Sequence, residues 1–156
     1  MHMLNDSWTL WSHLPHNTNW DISSYIKVKK CNNIEDIVLL SKEFDKKMLN
    51  NCMWFYMKNN IKPLWEDLSN SKGGCYSYKI MDKDIEKYWK KILYLLVGCN
   101  ITSIDSEYNN INGISISPKK SFCIIKIWMS SSSYTNKNIF IKDLLDTNIP
   151  IFKAHN

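Results

Sequence analysis

Between Asp84 and Gly98 the apolar residues Ile85, Tyr88, Trp89, Ile92, Leu93 and Leu96 recur three and four positions apart. That is the period of an α-helix with one buried stripe. Asp82 or Asp84 can cap its start, and Gly98 is a stop signal just after Val97. Lys87, Lys90 and Lys91 lie largely off the stripe. A helix with one apolar side needs an apolar surface to lie on.

The chain around this helix offers strands to make that surface. Ser7 to Leu14, Ser24 to Lys30, Cys52 to Lys58 and Cys75 to Ile80 are short, aromatic or β-branched segments bounded by turn residues. Gly113 to Ser117 and Ser121 to Met129 read as a hairpin with Pro118, Lys119 and Lys120 at its tip. By the two-residue period, Phe122, Ile124, Lys126 and Trp128 share one face, and Cys123, Ile125 and Ile127 the other. Asn33 is an expected helix cap, with Glu35 and Asp36 in the first turn and Ile37, Leu40 and Phe44 as the apolar stripe. A third helix is expected over Asn136 to Leu145 and a last strand over Ile149 to Lys153, with polar loop from Asn100 to Asn112. The expected product is α+β: a single domain over residues 1–156, one curved antiparallel β-sheet, and two or three helices packed on its convex face. The concave side is then open for binding.

At 156 residues the chain has enough length for one sizeable core. No apolar run approaches the ~20 residues needed to span a bilayer, so no membrane role is expected. The five cysteines are spread singly and form no CxxC, which argues against both a disulfide framework and a zinc site and favours a reducing compartment. The net charge is +5, and the twenty Lys+Arg residues are all lysine. Mild basicity permits a nucleic-acid partner without demanding one.

Ile61 to Gly74, IKPLWEDLSNSKGG, sets Trp65 directly before Glu66 and Asp67, between Pro63 and a Gly-Gly pair. Such a stretch reads as loop. In one reading Trp65 folds back onto the core and the two acids are solvated. In the other, a flat indole beside an acceptor-only carboxylate grips a planar, cationic, donor-bearing ring.

In this order of elements, the sequence resembles the mRNA 5′-cap-binding family of eukaryotic translation initiation factor 4E. The resemblance rests on W-x-L-W at Trp8 and Trp11, the isolated Trp20, and I-E-D at Ile34 to Asp36. It continues through I-x-P-x-W-E-D at Ile61, Pro63, Trp65, Glu66 and Asp67, and K-G-G at Lys72 to Gly74. Trp89, Leu96–Gly98 and the late Ile127–Trp128 complete it. It implies a 7-methylguanine sandwiched between Trp20 and Trp65. Glu66 would accept from the guanine edge, and Trp128 would touch the N7 methyl group. No cofactor, metal or catalytic residue is implied.

The departures fall on two arms. The family's phosphate-binding arginine is matched by Lys119, its lysine by Ile124, and a basic residue after the glycines by Cys75. Lys120 and Lys126 are the candidate substitutes beside Lys119. On the expected partner surface, the family's His-Pro-Leu is matched by His2, Met3 and Leu4. Ile34 lies in the matched I-E-D, Val38 replaces a tryptophan, and Lys90 and Tyr94 replace apolar residues. Binding to a scaffold of the initiation factor 4G type is therefore expected to be weak or to need a divergent partner. KAHN at the end resembles the family's last strand, which implies a site left more open where a further loop would follow.

Two functions follow from the resemblance. One is a monomeric cytoplasmic factor that binds capped mRNA to promote translation initiation. The other is a homologue that sequesters caps without recruiting the scaffold. An enzyme is not expected, since no nucleophile–base motif is legible. His13 and His16 are read as surface residues, and Trp8, Trp11, Trp54 and Trp89 as core.

Overall fold

The computed structural model describes residues 1–133, 137–146 and 148–155. Seven strands form one antiparallel sheet: β1 (Met3–His13), β2 (Ile26–Asn33), β3 (Met53–Lys58), β4 (Gly74–Met81), β5 (Ile111–Pro118), β6 (Phe122–Met129) and β7 (Ile151–Ala154). Their spatial order is β2-β1-β3-β5-β6-β4-β7. Three helices, α1 (Ile34–Glu43), α2 (Lys46–Asn51) and α3 (Ile85–Val97), pack against it.

The two-residue period of the strands divides the sheet into two chemical faces. Trp8, Leu10, Trp54, Tyr56, Tyr76, Tyr78, Ile80, Ile114, Ile116, Ile125 and Ile127 join the helices in one large core. α3 supplies Ile85, Tyr88, Trp89, Ile92, Leu93 and Leu96, the stripe legible in its sequence. Each such side chain taken from water contributes about 1.5–3 kcal/mol. The opposite face carries a smaller cluster of Phe55, Met57, Cys75 and Trp128, with Trp11, Tyr25, Met53 and Ile61 packed on it. Trp11 therefore belongs to the helix-free face rather than to the main core.

Local signals set the helix ends. The Asn33 side chain accepts from the Asp36 N–H at 2.8 Å and starts α1. Asp45 does the same for α2 through Met48 at 2.8 Å; α2 is a helix that the sequence reading passed over, being under two turns long. The expected aspartate cap of α3 does not form: Asp82–Asp84 is a 3-10 turn, and Asp84 makes no capping bond. Gly98 ends α3 at φ −85°, while Cys99 takes the left-handed conformation at φ 60°.

The expected third helix is not there. Asn136 lies outside the described residues, and 137–139 is a single 3-10 turn. Phe140 then bridges to Thr102. Positive φ at Asp143 (56°) and Asp146 (54°) is incompatible with a continuing α-helix. Ile139, Phe140, Leu144 and Leu145 are buried there without α-helical structure. The Asn100–Asn112 loop contains a 3-10 segment, Asp105–Asn110, whose Tyr108 is buried.

Candidate functional site

A cleft of about 500 Å³ opens on the helix-free face. Its size is that of an ordinary small-ligand site. Trp20, Tyr25, Trp65 and Glu66 line it from loops, and Met53, Phe55, Ser115, Ser117, Lys126 and Trp128 line it from the sheet. Pro63, Leu64 and Lys119 complete the rim. Trp20 and Trp65 are 49% and 46% exposed, so neither indole is spent on the core.

Each of these two indoles is held by a histidine. His13 stacks on Trp20 with centroids 4.3 Å apart and planes 8° from parallel. His155 stacks on Trp65 at 5.4 Å and 10°. Neither histidine lines the cleft, so the ring that stacks on each indole lies outside it. His13 is buried rather than on the surface. Its Nδ1 lies 2.9 Å from the Leu14 carbonyl oxygen and its Nε2 2.8 Å from that of Asn19, which pins the ring. Asn17 and Asn19 side chains accept from the Asn19 and Asp21 N–H groups and shape the loop that presents Trp20.

His155 sits on Cys75, with Nε2 3.1 Å from Sγ, and its Nδ1 is 2.9 Å from the Asn70 carbonyl oxygen. Burial pushes the Cys75 thiol up to about 12, against a small opposing pull from Lys126. The S–H therefore donates to Nε2, and the ring proton on Nδ1 donates to Asn70. Burial also lowers the His155 pKa, with the neighbouring Lys126 charge acting the same way and the Asn70 carbonyl opposing. The position matched to a family base thus serves to orient the support of Trp65.

The Trp65 loop is built on Asn70 and Asp67. Asn70 is fully buried; its Nδ2 donates to the Lys62 and Leu64 carbonyls, and its Oδ1 accepts from Asn112 at 2.9 Å. Asp67 turns away from the cleft and accepts from the Lys62 and Ser69 N–H groups. The two adjacent acids thus do different work: Asp67 closes the loop, and Glu66 lines the cleft. At the loop's end, a Cβ on Gly73 would lie 1.8 Å from the Met129 oxygen, so glycine is there for close backbone approach.

Trp128 forms part of the floor, its Nε1–H donating to Ser115 Oγ at 3.0 Å, edge-on to Phe55 and tilted against His155. Lys126 Nζ lies 6.0 Å from the Trp65 ring centre. Lys119 lines the cleft, whereas the exposed Lys120 does not. Tyr25, Phe55, His13 and His155 went unread as site residues in the sequence. For Tyr25, burial and then the Glu66 charge push the phenol up to about 12, so it stays a donor. No cluster of three metal-ligating side chains occurs among the described residues.

The residues expected at a partner surface lie elsewhere, on and beside the helices. Ile34 and Tyr94 are exposed, Val38 and Leu4 half-buried. His2 pairs with Glu35 at 2.7 Å, Lys90 with Glu86 at 3.2 Å, and the Tyr94 hydroxyl bonds to Ser41.

Half-exposed indoles, one carboxylate and two lysines around one cleft can hold a flat, positively charged ring that bears an anionic tail. Among the described residues, the helices back the sheet beneath them on its other face. The chain belongs to the family described as Eukaryotic initiation factor 4E, whose profile matches residues 3–155. It is 30% identical over 140 residues to the eukaryotic translation initiation factor 4E of Eremothecium gossypii, covering 83% of this chain and 63% of that protein. It is 28% identical over 144 residues to that of Saccharomyces cerevisiae, covering 83% and 62%. The chain thus spans somewhat under two thirds of the length of these relatives. Among solved structures, C. elegans eIF4E-3 in complex with the 4E-binding protein Mextli superposes with a TM-score of 0.79 at 20% identity, covering 99% of this chain and 93% of that one. Ascaris suum eIF4E-3 with m7G cap gives 0.74 at 20% identity, covering 86% and 76%. These two likenesses establish the fold.

Proposed function

We propose that this chain binds the 7-methylguanosine 5′ cap of mRNA and serves translation initiation. Residues 1–156 act as one cap-binding domain, in the cytoplasm and without catalysis. The observation that carries this reading is the convergence of Trp20, Trp65 and Glu66 on one cleft from two separate loops. The methylated guanine is cationic, so cation–π attraction adds to stacking, which alone contributes on the order of 1–3 kcal/mol per base. Glu66 accepts from the donor edge of guanine, and Trp128 meets the methyl group from the floor. Tyr25, kept protonated, adds a donor within the same cleft. Lys126 and Lys119 take the triphosphate, with Lys120 outside the cleft as a weaker contributor.

The relatives named above are initiation factors, and one solved neighbour carries an m7G cap. Another is bound to a 4E-binding protein. By that likeness a scaffold of the 4G type, or a divergent equivalent, docks on the helix side around His2, Leu4, Ile34, Val38, Lys90 and Tyr94. Titrating a methylated cap analogue while following tryptophan fluorescence tests the reading. Quenching is expected in the parent protein and is abolished or greatly weakened by Trp65→Ala and by Glu66→Ala. Equal affinity for methylated and unmethylated guanosine triphosphate would overturn it.

A further inference from the structure

The sheet does not end where the cleft does. Beyond Lys126, the same helix-free face continues along β6 and β4 toward the β5–β6 hairpin. The register pairs Ser77 with Lys126, Lys79 with Ile124 and Met81 with Phe122. All six side chains therefore stand on one face, in rows one strand-period apart, about 7 Å. Lys79 and Met81 are exposed and Phe122 and Ile124 half-exposed, so this part of the face is uncovered. On the adjoining edge strand, Lys153 pairs with Cys75 and Ile151 with Ser77, and both are exposed.

Two features of this strip point to one kind of occupant. The first is charge. β4, β5, β6 and β7 contain no Asp or Glu, while Lys79, Lys126 and Lys153 all rise from this face. The second is a flat surface next to a cation: Lys79 Nζ lies 4.4 Å from the Phe122 ring centre. A cationic groove with an aromatic on which bases stack is the equipment of single-strand binding. The strip is also continuous with the lysines assigned above to the triphosphate, so a chain leaving the cap meets Lys126 and then Lys79.

We propose that Lys79 and Phe122, with Ile124 beside Lys79 in the same row, form a platform for the first nucleotides of the RNA chain that follow the cap. The proposal rests on the cap-binding reading. Lys79 is the direct cross-strand neighbour of Ile124, one row beyond Lys126 and outside the lining of the cleft. Lys79 neutralises a phosphate, and the Phe122 ring takes a base in sequence-tolerant stacking.

The test compares 7-methylguanosine triphosphate with a capped, unstructured RNA of about eight nucleotides, a length within the usual site size. An uncapped RNA of the same sequence serves as control. The parent protein should bind the capped RNA about tenfold tighter than the cap analogue, the size expected of one stacked base and one phosphate contact. Lys79→Glu and Phe122→Ser should each shrink that advantage to within about threefold while leaving affinity for the cap analogue unchanged. In the exposed variant Lys79→Ala, the salt dependence for capped RNA should flatten by about 0.7 in log–log slope. Unchanged cap-analogue affinity also shows that each variant is folded, and Lys79 is an exposed position should Phe122→Ser fail. Capped RNA bound no tighter than the analogue, or an advantage that survives Lys79→Glu, overturns the platform and leaves the cap site standing; the face then belongs to a protein partner or to nothing. No preference for capped over uncapped ligands overturns both.

Discussion

The imidazole of His155 lies nearly parallel to the indole of Trp65, with 10° between the planes and 5.4 Å between the centroids. A residue at the far end of the described chain thus sets the attitude of a side chain ninety positions earlier. An aromatic pair of this kind is worth about 0.5–1.5 kcal/mol, so His155→Ala should weaken binding of a cap analogue by about 2–10-fold. His155→Phe, which keeps a ring behind the indole, should lose less. Fluorescence titration of the three proteins decides it, and an alanine variant with parental affinity would count against a positioning role.

The same histidine makes stability depend on pH. Its folded pKa lies below the ordinary value of 6.5, because burial disfavours the imidazolium. The unfolded chain therefore takes up a proton that the folded chain resists. The neutral form's contribution is present in full above about pH 6.5 and is lost as pH falls from there through the folded pKa. Denaturant midpoints measured at neutral and at mildly acidic pH should differ less in His155→Phe than in the parent. An equal acid sensitivity in both proteins would place the titration elsewhere.

Asn70 is the hub of the Trp65 loop. Removing its amide takes the donor from the Lys62 and Leu64 carbonyls and one of two acceptors from the Asn112 side chain, which keeps the Ser69 carbonyl. Each hydrogen bond so lost costs about 0.5–1.5 kcal/mol. Asn70→Ala should lower the unfolding midpoint and, with the loop loosened, cap affinity as well. Asn70→Asp keeps the acceptor for Asn112 but sets a buried carboxylate oxygen against the Lys62 and Leu64 carbonyls, and should destabilise at least as much as Asn70→Ala.

Glycine is required at position 73 by contact, not by dihedral angle. Gly73→Ala would drive a methyl group into the Met129 carbonyl, and overpacking of this kind costs about 1–3 kcal/mol or more. In a chain of this size, that is a fall in Tm of roughly 2–4 °C per kcal/mol. Gly98 is exposed and its nearest contact is 3.0 Å, so Gly98→Ala should shift Tm less. Thermal unfolding of the two variants side by side makes the comparison.

Glu66→Gln probes edge reading separately from stacking. The amide can place one donor against the donors of guanine, so about 1–3 kcal/mol of discrimination should vanish while the stack remains. The variant should still quench with the methylated analogue, at weaker affinity, and should distinguish guanine from adenine caps less well. Undiminished discrimination would move the base-reading role to another residue.

Much of this was legible in local sequence, for local reasons. The α3 stripe, the alternation of β6 and the Asn33 cap are short-range patterns dictated by the helix and strand periods. The Trp20 and Trp65 loops were legible because polar, Pro- and Gly-punctuated stretches leave a tryptophan no core to join. The failures were local as well. Ile139, Phe140, Leu144 and Leu145 are as apolar as a helix would need, but left-handed residues at Asp143 and Asp146 break the chain there. Lys120 shares the hairpin tip with Lys119 yet misses the cleft, because neighbouring residues at a turn diverge.

From its order of residues alone, this chain determines the seven strand segments and the α1 and α3 stripes in outline, and which aromatic and acidic residues stand in the Trp20 and Trp65 loops. Those follow from backbone periods and side-chain chemistry acting within a few positions. Only the tertiary structure decided that His13 backs Trp20, that Cys75 and His155 hold Trp65, and that Lys79 rises beside Ile124. Such pairings join residues up to ninety positions apart, and they are set by strand order and register, which the periodicity of no single segment contains.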